Sequence, residues 1–259
     1  MDRAIIVAAG MGRRLSPYTD DRPKCLVPIN GRPILAYQLD AYRAAGVREF
    51  TIVRGYLAQR LADALDAEAP GIRFVDNHDY QRNNILLSLL CAADAMDGGF
   101  LFSYADIVFR PEVVAQVAAA PGPLALVVDP FWARAYEGRS EHPISEAELA
   151  AVSDRRVTAV GKRVVPAAEA RGEFIGLMRV DAEGADLLRA TFRRRRDELG
   201  LDGPYGRAPR LQVAYVTDLL NDLIGQGVPI HSVEIQTPDA WREIDTVQDL
   251  ERAHTVVRW

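Results

Sequence analysis

Apolar positions in the first half of the chain fall into two kinds of block. After its first residue the segment RAIIVAA is apolar without interruption, which is typical of a parallel strand buried on both faces. In the following PILAYQLDAYRAAG the apolar positions recur at helical spacing, which predicts an amphipathic helix that begins at Pro33 and ends at Gly46. A strand followed by a helix is the repeating unit of an α/β sheet.

The same unit recurs as far as Asp129. Further strands are predicted at EFTIVRG, GIRFVDN, GFLFSYADIVF and PLALVVD, and further helices at LAQRLADALDAE, NNILLSLLCAADAM and PEVVAQVAAA. Asn83 or Asn84 is the predicted cap of the helix that starts at NNILL. Such a βαβ series predicts a mostly parallel sheet covered by helices.

After Asp129 the regular alternation of predicted strands and helices ends. A long polar segment with aromatic residues comes first, and the elements predicted after it are two short strands in AAVSDRRVTAVGKRV, a strand at EFIGLMRV, a helix at AEGADLLRATFRRRRDELG, a helix at YVTDLLNDLIGQG, a strand at PIHSVEI and a closing helix at TVQDLERAHTVV. The pattern predicts one Rossmann-like α/β domain over residues 1–259. Residues 1–129 form its mostly parallel sheet flanked by helices, and residues 130–259 form a smaller insertion with a local sheet and a C-terminal return.

Composition narrows the class of protein. The chain of 259 residues is 49% hydrophobic and 26% charged, as expected for a globular protein with a sizeable core. A net charge of −5 gives no support to a nucleic-acid or membrane-surface partner, and no stretch approaches the roughly 20 apolar residues of a membrane span. The two cysteines are too few for a disulfide framework. We therefore expect a cytoplasmic monomer or homodimer that acts on small molecules.

The candidate chemistry starts directly after the first strand, in AAGMGRRLSPYTDDRPKCLVPINGRPIL, residues 8–35. Gly10 and Gly12 would allow backbone N–H groups to approach a polyphosphate, although two glycines alone could equally form a plain turn. Arg14 and Lys24 add cations to the same loop. The loop lacks the Gly-Lys-Ser/Thr ending of a P-loop and the third glycine of a dinucleotide fingerprint. A polyphosphate site of another kind is predicted.

The combination of AAGMGRRL with RPKCLVPINGRPIL resembles the signature of nucleotidyltransferases that couple an NTP to a phosphorylated small molecule. NNILLSL, GEFIGLMRV and WREIDTVQDL resemble the bacterial phosphocholine and phosphonate cytidylyltransferase branch of that family. In this resemblance Arg14 and Lys24 are the catalytic cations, one neutralising the departing pyrophosphate and the other lying between donor and acceptor phosphates. The residues implied to cradle the triphosphate are Ala8, Ala9, Gly10, Met11, Gly12 and Arg13.

The resemblance also implies a Mg²⁺ ion bound by Asp106 and Asp245. Nucleotidyl transfer gathers several negative charges, and Mg²⁺ held by one or two carboxylates is the usual agent that neutralises them. Asp106 comes just after the fourth predicted strand, on the same edge as the glycine loop. Asp245 could instead cap the last helix, although Thr246 could fill that role as well.

The residues that would contact the nucleobase and the acceptor have weaker sequence signals than the glycine loop. In the resembled family the region of Asn84 and Ser88 lines the nucleobase pocket, whereas a helix cap and a core-facing serine are the alternative. The acceptor candidates combine aromatic rings and an acid, which suit an ammonium group, with arginines, which suit an anion. Core packing is the alternative for each aromatic, and Arg54 could also have no role. These candidates are Trp132, Tyr136, Arg139, Glu173 and Arg54.

The sequence thus predicts an enzyme that transfers CMP from CTP to phosphocholine, 2-aminoethylphosphonate or a related phosphonate and releases pyrophosphate. A cationic headgroup is favoured over an anionic one. A sugar-1-phosphate nucleotidyltransferase is the alternative within the class, and a non-catalytic nucleotide-binding subunit is the alternative outside it. The joint presence of Arg14, Lys24, Asp106 and Asp245 argues against the non-catalytic subunit.

Overall fold

The predicted strands and helices occur in the expected order, but the single strand predicted at GFLFSYADIVF is divided in two by a turn at Ala105 and Asp106. The computed structural model describes residues 1–65 and 71–259. Its strands are β1 Arg3–Ala8, β2 Pro28–Ile29, β3 Arg32–Pro33, β4 Glu49–Arg54, β5 Ile72–Asp76, β6 Phe100–Tyr104, β7 Ile107–Phe109, β8 Leu124–Asp129, β9 Glu148–Ser153, β10 Arg156–Lys162, β11 Gly172–Val180, β12 Ile230–Glu234 and β13 Trp241–Glu243. Its α-helices are α1 Ile34–Ala44, α2 Ala58–Leu65, α3 Ile85–Cys91, α4 Pro111–Ala118, α5 Ala133–Tyr136, α6 Ala182–Leu199, α7 Val216–Gly225 and α8 Val247–Val256. The last residues of the helix predicted at LAQRLADALDAE lie outside the described residues.

One mixed sheet organises the described part of the chain, with the strand order β5-β4-β1-β6-β11-β8-β12-β10-β9. Strands β5, β4, β1 and β6 are parallel neighbours, and β12 is parallel to β8. The mostly parallel sheet flanked by helices is therefore confirmed. Strand β11 lies antiparallel between β6 and β8, so a strand from the second half of the chain occupies the middle of the sheet.

The predicted local sheet of the insertion is continuous with this central sheet. Strands β9 and β10 form the antiparallel hairpin that the sequence predicts around AAVSDRRVTAVGKRV. The hairpin joins β12 through the pairing of Arg156 with His231, and β9 turns back to pair with β11 at Gly172 and Glu173. The insertion thereby curls over one end of the sheet and forms a wall beside it.

Two apolar layers cover the two faces of the sheet, which explains the uninterrupted apolar run of β1. Ile5 and Val7 pack on one face with residues of α3, α6 and α7, whereas Ala4 and Ile6 pack on the other face with residues of α1 and α4. Successive side chains of a strand point to opposite faces, so a strand buried on both faces must be apolar at every position.

A bulge in β11 shapes the edge of the sheet where β6 ends. The pairing of β11 with β8 shifts register between Phe174 and Met178, and Gly176 within the bulge has a φ of +79°. A side chain at Gly176 would collide with the ring of Tyr104 on β6, so only glycine allows this close approach. No helix of the described residues is long and apolar enough to cross a membrane.

Candidate functional site

A cavity of about 400 Å³ opens where β1 and β6 end, between the loop after β1 and the wall formed by β9, β10 and β11. Its position at the carboxyl ends of parallel strands is where open α/β sheets bind ligands. Most of the residues singled out from the sequence line it: Ala8, Ala9, Gly10, Gly12, Arg13, Arg14, Lys24, Asn84, Ser88, Asp106, Glu173 and Asp245. Outside the lining are Met11, Arg54, Trp132, Tyr136 and Arg139.

The two loop glycines have different surroundings. Gly12 has a φ of +60°, and a Cβ atom there would lie 2.9 Å from the Cβ of Lys24. A Cβ atom at Gly10 would have no atom within 4 Å. Gly12 is therefore required by the packing of Lys24, whereas Gly10 leaves its backbone open toward the cavity. The short turn Arg13–Leu15 anchors the loop by burying Leu15.

Alanine at these two positions should separate the two roles. We expect Gly12→Ala to destabilise the fold, because a left-handed alanine costs about 1–2 kcal/mol before the collision with Lys24 is counted. Gly10→Ala should keep the melting temperature and weaken nucleotide binding. Thermal unfolding and nucleotide titration of both variants measure this. Wild-type nucleotide affinity in Gly10→Ala would argue against a backbone approach at this position.

Lys24 lies between the two carboxylates predicted to bind the metal. Its Nζ atom donates to Asp106 Oδ2 at 2.8 Å and to Asp245 Oδ1 at 2.6 Å, and Arg14 Nη2 lies 2.5 Å from Asp245 Oδ2. Burial lowers the pKa of Lys24, but attraction by both carboxylates outweighs burial and raises it. Burial likewise raises the pKa of Asp245, and attraction by Lys24 outweighs this effect and lowers it. Both groups are therefore charged at neutral pH.

A small antiparallel ladder brings Asp106 and Asp245 together. Strand β13 pairs with β7, with Glu243 opposite Ile107, and the N–H of Ile244 donates to the carbonyl of Asp106 at 2.8 Å. The donor set suits a hard cation such as Mg²⁺, because Asp106 Oδ1 is buried without a hydrogen-bond partner among the described residues. Asp106 and Asp245 are the residues that would hold such an ion.

Asp245 does not cap the last helix. Thr246 is the N-cap of α8, and its Oγ1 accepts from the N–H of Asp249 while Asp249 Oδ2 accepts from the N–H of Thr246. This reciprocal capping box satisfies the helix end and leaves the side chain of Asp245 to the charged centre. Of the two roles weighed for Asp245, the cap is wrong.

Asn84 and Ser88 have structural partners although they line the cavity. Asn84 caps α3, with its Oδ1 accepting from the N–H of Ile85 at 2.8 Å and its Nδ2 donating to the carbonyl of Val213. Ser88 Oγ accepts from Asn77 Nδ2 at 2.8 Å and donates to the carbonyl of Asn84. These contacts agree with Asn84 as a helix cap and Ser88 as a core-facing serine. A role of the two residues in recognising the nucleobase stays a prediction.

Four of the five acceptor candidates lie outside the cavity lining, and for two of these the structure shows another role. Trp132 is buried in a small apolar cluster with Ala147, Leu149 and Val165, so core packing accounts for it. Arg54 ends β4 directly opposite Asp76 of β5, and its Nε donates to Asp76 Oδ1 at 2.6 Å. The expected contacts of Trp132 and Arg54 with an acceptor are corrected accordingly.

The other acceptor candidates form a chain of contacts that ends in the cavity. The side chain of Arg139 is buried and pairs with Asp249 at 2.7 Å and with Glu243 at 2.9 Å, which ties the insertion to α8 and β13. Tyr136 donates its hydroxyl to Glu173 Oε1 at 2.7 Å. Glu173 is the member of this group that faces the cavity.

Several lining residues were not singled out from the sequence. Tyr104 donates its hydroxyl to Glu148 Oε2 at 2.9 Å, and Lys162 Nζ donates to Glu146 Oε2 at 3.0 Å and lies 5.1 Å from the ring centroid of Tyr215. The spacing of the two acids in ISEAEL is the one available signal, and it is weak in an acid-rich chain. Burial raises the pKa of Glu148 to about 7, and burial together with repulsion by Glu243 raises that of Glu173 to about 8.

Comparison with known proteins agrees with this geometry. CTP:phosphoglutamine cytidylyltransferase of Campylobacter jejuni is 32% identical over 257 residues, which is 96% of this chain and 97% of that protein. The 2-aminoethylphosphonate cytidylyltransferase of Lancefieldella rimae is 35% identical over 114 residues, 44% of this chain and 46% of that protein. The solved structure of CTP:phosphocholine cytidylyltransferase from Streptococcus pneumoniae has the same fold, with a TM-score of 0.75 at 21% identity over 99% of both chains.

The resemblance noted in the glycine loop is thereby confirmed. Residues 4–172, which include that loop, Lys24, Asp106 and both glutamates of the ISEAEL segment, match the family described as the MobA-like NTP transferase domain. The chain belongs to this family of nucleotidyltransferases.

Proposed function

We propose that the protein is a cytidylyltransferase that transfers CMP from CTP to a small phosphorylated acceptor and releases pyrophosphate. The observation that carries this proposal is Lys24, held between Asp106 and Asp245 at the end of the glycine loop. That position places a buried cation and two convergent carboxylates beside open backbone in one cavity. The relatives named as cytidylyltransferases of phosphoglutamine, 2-aminoethylphosphonate and phosphocholine support the choice of nucleotide.

The reaction needs charge neutralisation more than proton transfer. An acceptor oxygen forms a bond to the α-phosphorus of CTP, the bond from that phosphorus to the bridging oxygen breaks, and its electron pair leaves with pyrophosphate. The acceptor is already anionic, so no general base is required. Lys24 stabilises the charge that develops between donor and acceptor, and Arg14 accompanies the pyrophosphate. Mg²⁺ held by Asp106 and Asp245 would add positive charge at the phosphates.

The acceptor carries a cationic group in this proposal. Glu148 and Glu173 are buried carboxylic acids that line the cavity, and within the described ranges neither has a lysine or arginine at ion-pair distance. A primary ammonium group that reached these acids would gain charge-assisted hydrogen bonds, and a quaternary ammonium group would gain Coulomb attraction alone. This pair takes the place of Trp132, which the sequence favoured for the same purpose. Lys162, on the same wall, supplies a cation for the acceptor's anionic part.

A pyrophosphate-release screen tests the proposal. Four NTPs are crossed with phosphocholine, 2-aminoethylphosphonate, phosphoglutamine and glucose-1-phosphate, each with Mg²⁺. We expect turnover with CTP and at least one acceptor that bears an ammonium group. Efficient use of glucose-1-phosphate would overturn the acceptor class, and nucleotide binding without turnover of any acceptor would favour a non-catalytic subunit.

Glu173→Gln should impair acceptor binding selectively. A charge-assisted hydrogen bond is worth about 1.5–3 kcal/mol, so we expect KM for the cationic acceptor to rise roughly tenfold or more while KM for CTP changes little. Because the pKa of Glu173 is raised to about 8, its carboxylate forms as pH rises through that value, and wild-type KM for 2-aminoethylphosphonate should fall between pH 7 and pH 9. Steady-state kinetics across that range measures both effects.

The matched control for this substitution is Glu183→Gln, which changes an exposed acid in the first turn of α6. It should behave as wild type at every pH. The Glu173→Gln variant should lose the pH dependence of KM that the wild type shows. An unchanged KM in Glu173→Gln would remove this residue from the acceptor site.

A further inference from the structure

His142 occupies a buried position beside the charged centre. The residue follows α5 in the insertion and is 1% exposed. Its ring packs edge-on against that of Tyr136, with 6.1 Å between the ring centroids. Its Nδ1 atom lies 3.0 Å from Asp245 Oδ2, and its Nε2 atom lies 3.7 Å from Glu243 Oε2. The four histidines of the chain follow no metal-binding pattern in the sequence, so this placement comes from the fold alone.

The groups that contact the two oxygens of Asp245 differ in solvent exposure. Its Oδ1 accepts from Lys24, which meets the reacting phosphates in the proposed function. Its Oδ2 faces both Arg14 and His142, but the side chain of Arg14 is 50% exposed, whereas that of His142 is 2% exposed. Arg14 can follow a departing anion, and the imidazole cannot move without disturbing its packing. His142 is thus the fixed neighbour of this carboxylate: Nδ1 lies at ion-pair distance from Oδ2 and has no hydrogen-bond partner among the described residues that would hold it elsewhere.

We propose that His142 is a positioning residue that fixes the Asp245 carboxylate through Nδ1, so that Oδ1 stays directed toward Lys24 and the metal position. This inference rests on the proposed function. Partners that orient a metal-ligating carboxylate typically change metal affinity or activity by about 10–100-fold when they are removed. His142 lies in the insertion, whereas the carboxylate that it positions belongs to the segment before α8.

Two amide substitutions distinguish the contribution of Nδ1 from that of Nε2. In His142→Asn the side-chain nitrogen takes a place close to that of Nδ1, and in His142→Gln it takes a place close to that of Nε2. We expect His142→Asn to keep the dissociation constant of Mn²⁺ within about threefold of wild type. His142→Gln and His142→Phe should weaken Mn²⁺ binding by roughly 10–100-fold and lower kcat in parallel. Mn²⁺ binding is followed by electron paramagnetic resonance of the free ion, without substrates.

Controls keep the outcomes distinct. His231→Gln, on β12, should bind Mn²⁺ as wild type, and melting temperatures of all variants report on folding. If His142→Phe does not fold, the Asn and Gln variants still decide the matter. Equal Mn²⁺ affinities for Asn and Gln would overturn the positioning role alone. A wild-type protein that binds Mn²⁺ and transfers no CMP would overturn the proposed function alone, and one that transfers CMP but binds no Mn²⁺ would overturn the positioning role alone.

Discussion

Lys24→Ala is expected to lower kcat by roughly two to three orders of magnitude. Removal of one preorganised contact to charge that develops in a transition state costs about 2.7–4 kcal/mol. Lys24 is well placed for such a contact, because it is the buried cation between Asp106 and Asp245 at the end of the glycine loop. Binding of CTP should weaken much less, since Arg14 and the loop backbone remain. Single-turnover rates and nucleotide titrations separate the two quantities.

The same substitution also has a structural consequence. Without Lys24 the carboxylates of Asp106 and Asp245 lose the cation that they share, so the melting temperature should fall as well. Kinetics must therefore be measured well below the melting transition. Arg163→Ala, which removes a mostly exposed cation, is the matched control and should be active. Turnover near that of the wild type in Lys24→Ala would contradict the role assigned to this lysine.

Asp245→Asn should abolish most of the Mg²⁺-dependent activity, by roughly 10²-fold or more, while the protein stays folded. Asparagine keeps the shape of the side chain and removes the charge that Lys24, Arg14 and Mg²⁺ require. The helix behind it is unaffected, because Thr246 rather than Asp245 caps α8. Activity measured against Mg²⁺ concentration, with the melting temperature alongside, tests this, and Asp106→Asn should behave in the same way.

The contrasting control for this carboxylate is Asp249→Asn. That substitution breaks the capping box of α8 and the ion pair with Arg139, so it should lower the melting temperature. Full activity of Asp245→Asn at ordinary Mg²⁺ concentrations would show that the residue binds no metal needed for the reaction.

The fold was predictable where a local pattern determines burial. The uninterrupted apolar residues 4–8 of β1 have to be covered on both faces, and the structure buries all of them, as it does most residues of β11. The pattern does not encode where such a strand lies in the sheet. The position of β11, antiparallel between β6 and β8, depends on the whole chain rather than on the segment GEFIGLMRV itself.

The acceptor side of the site was less predictable, because the same residue type serves a core and a binding site equally well. Trp132 is suited to a cation by its chemistry, yet its neighbours Ala147 and Leu149 make it part of an apolar cluster. Arg54 is suited to an anion, yet the parallel register of β4 and β5 places it opposite Asp76. Glu148 and Lys162 look like ordinary surface residues in the sequence and line the cavity instead.

By itself the sequence determined the α/β alternation, the glycine loop after β1 and, through its resemblance to nucleotidyltransferases, the identities of Lys24, Asp106 and Asp245. Only the tertiary structure brought them together, since Lys24 is separated by 82 positions from Asp106 and by 221 from Asp245. Contacts over such separations depend on strand order and on the pairing of β13 with β7, which no local pattern contains. The same holds for His142, because its meeting with Asp245 requires the insertion to fold back against the segment before α8.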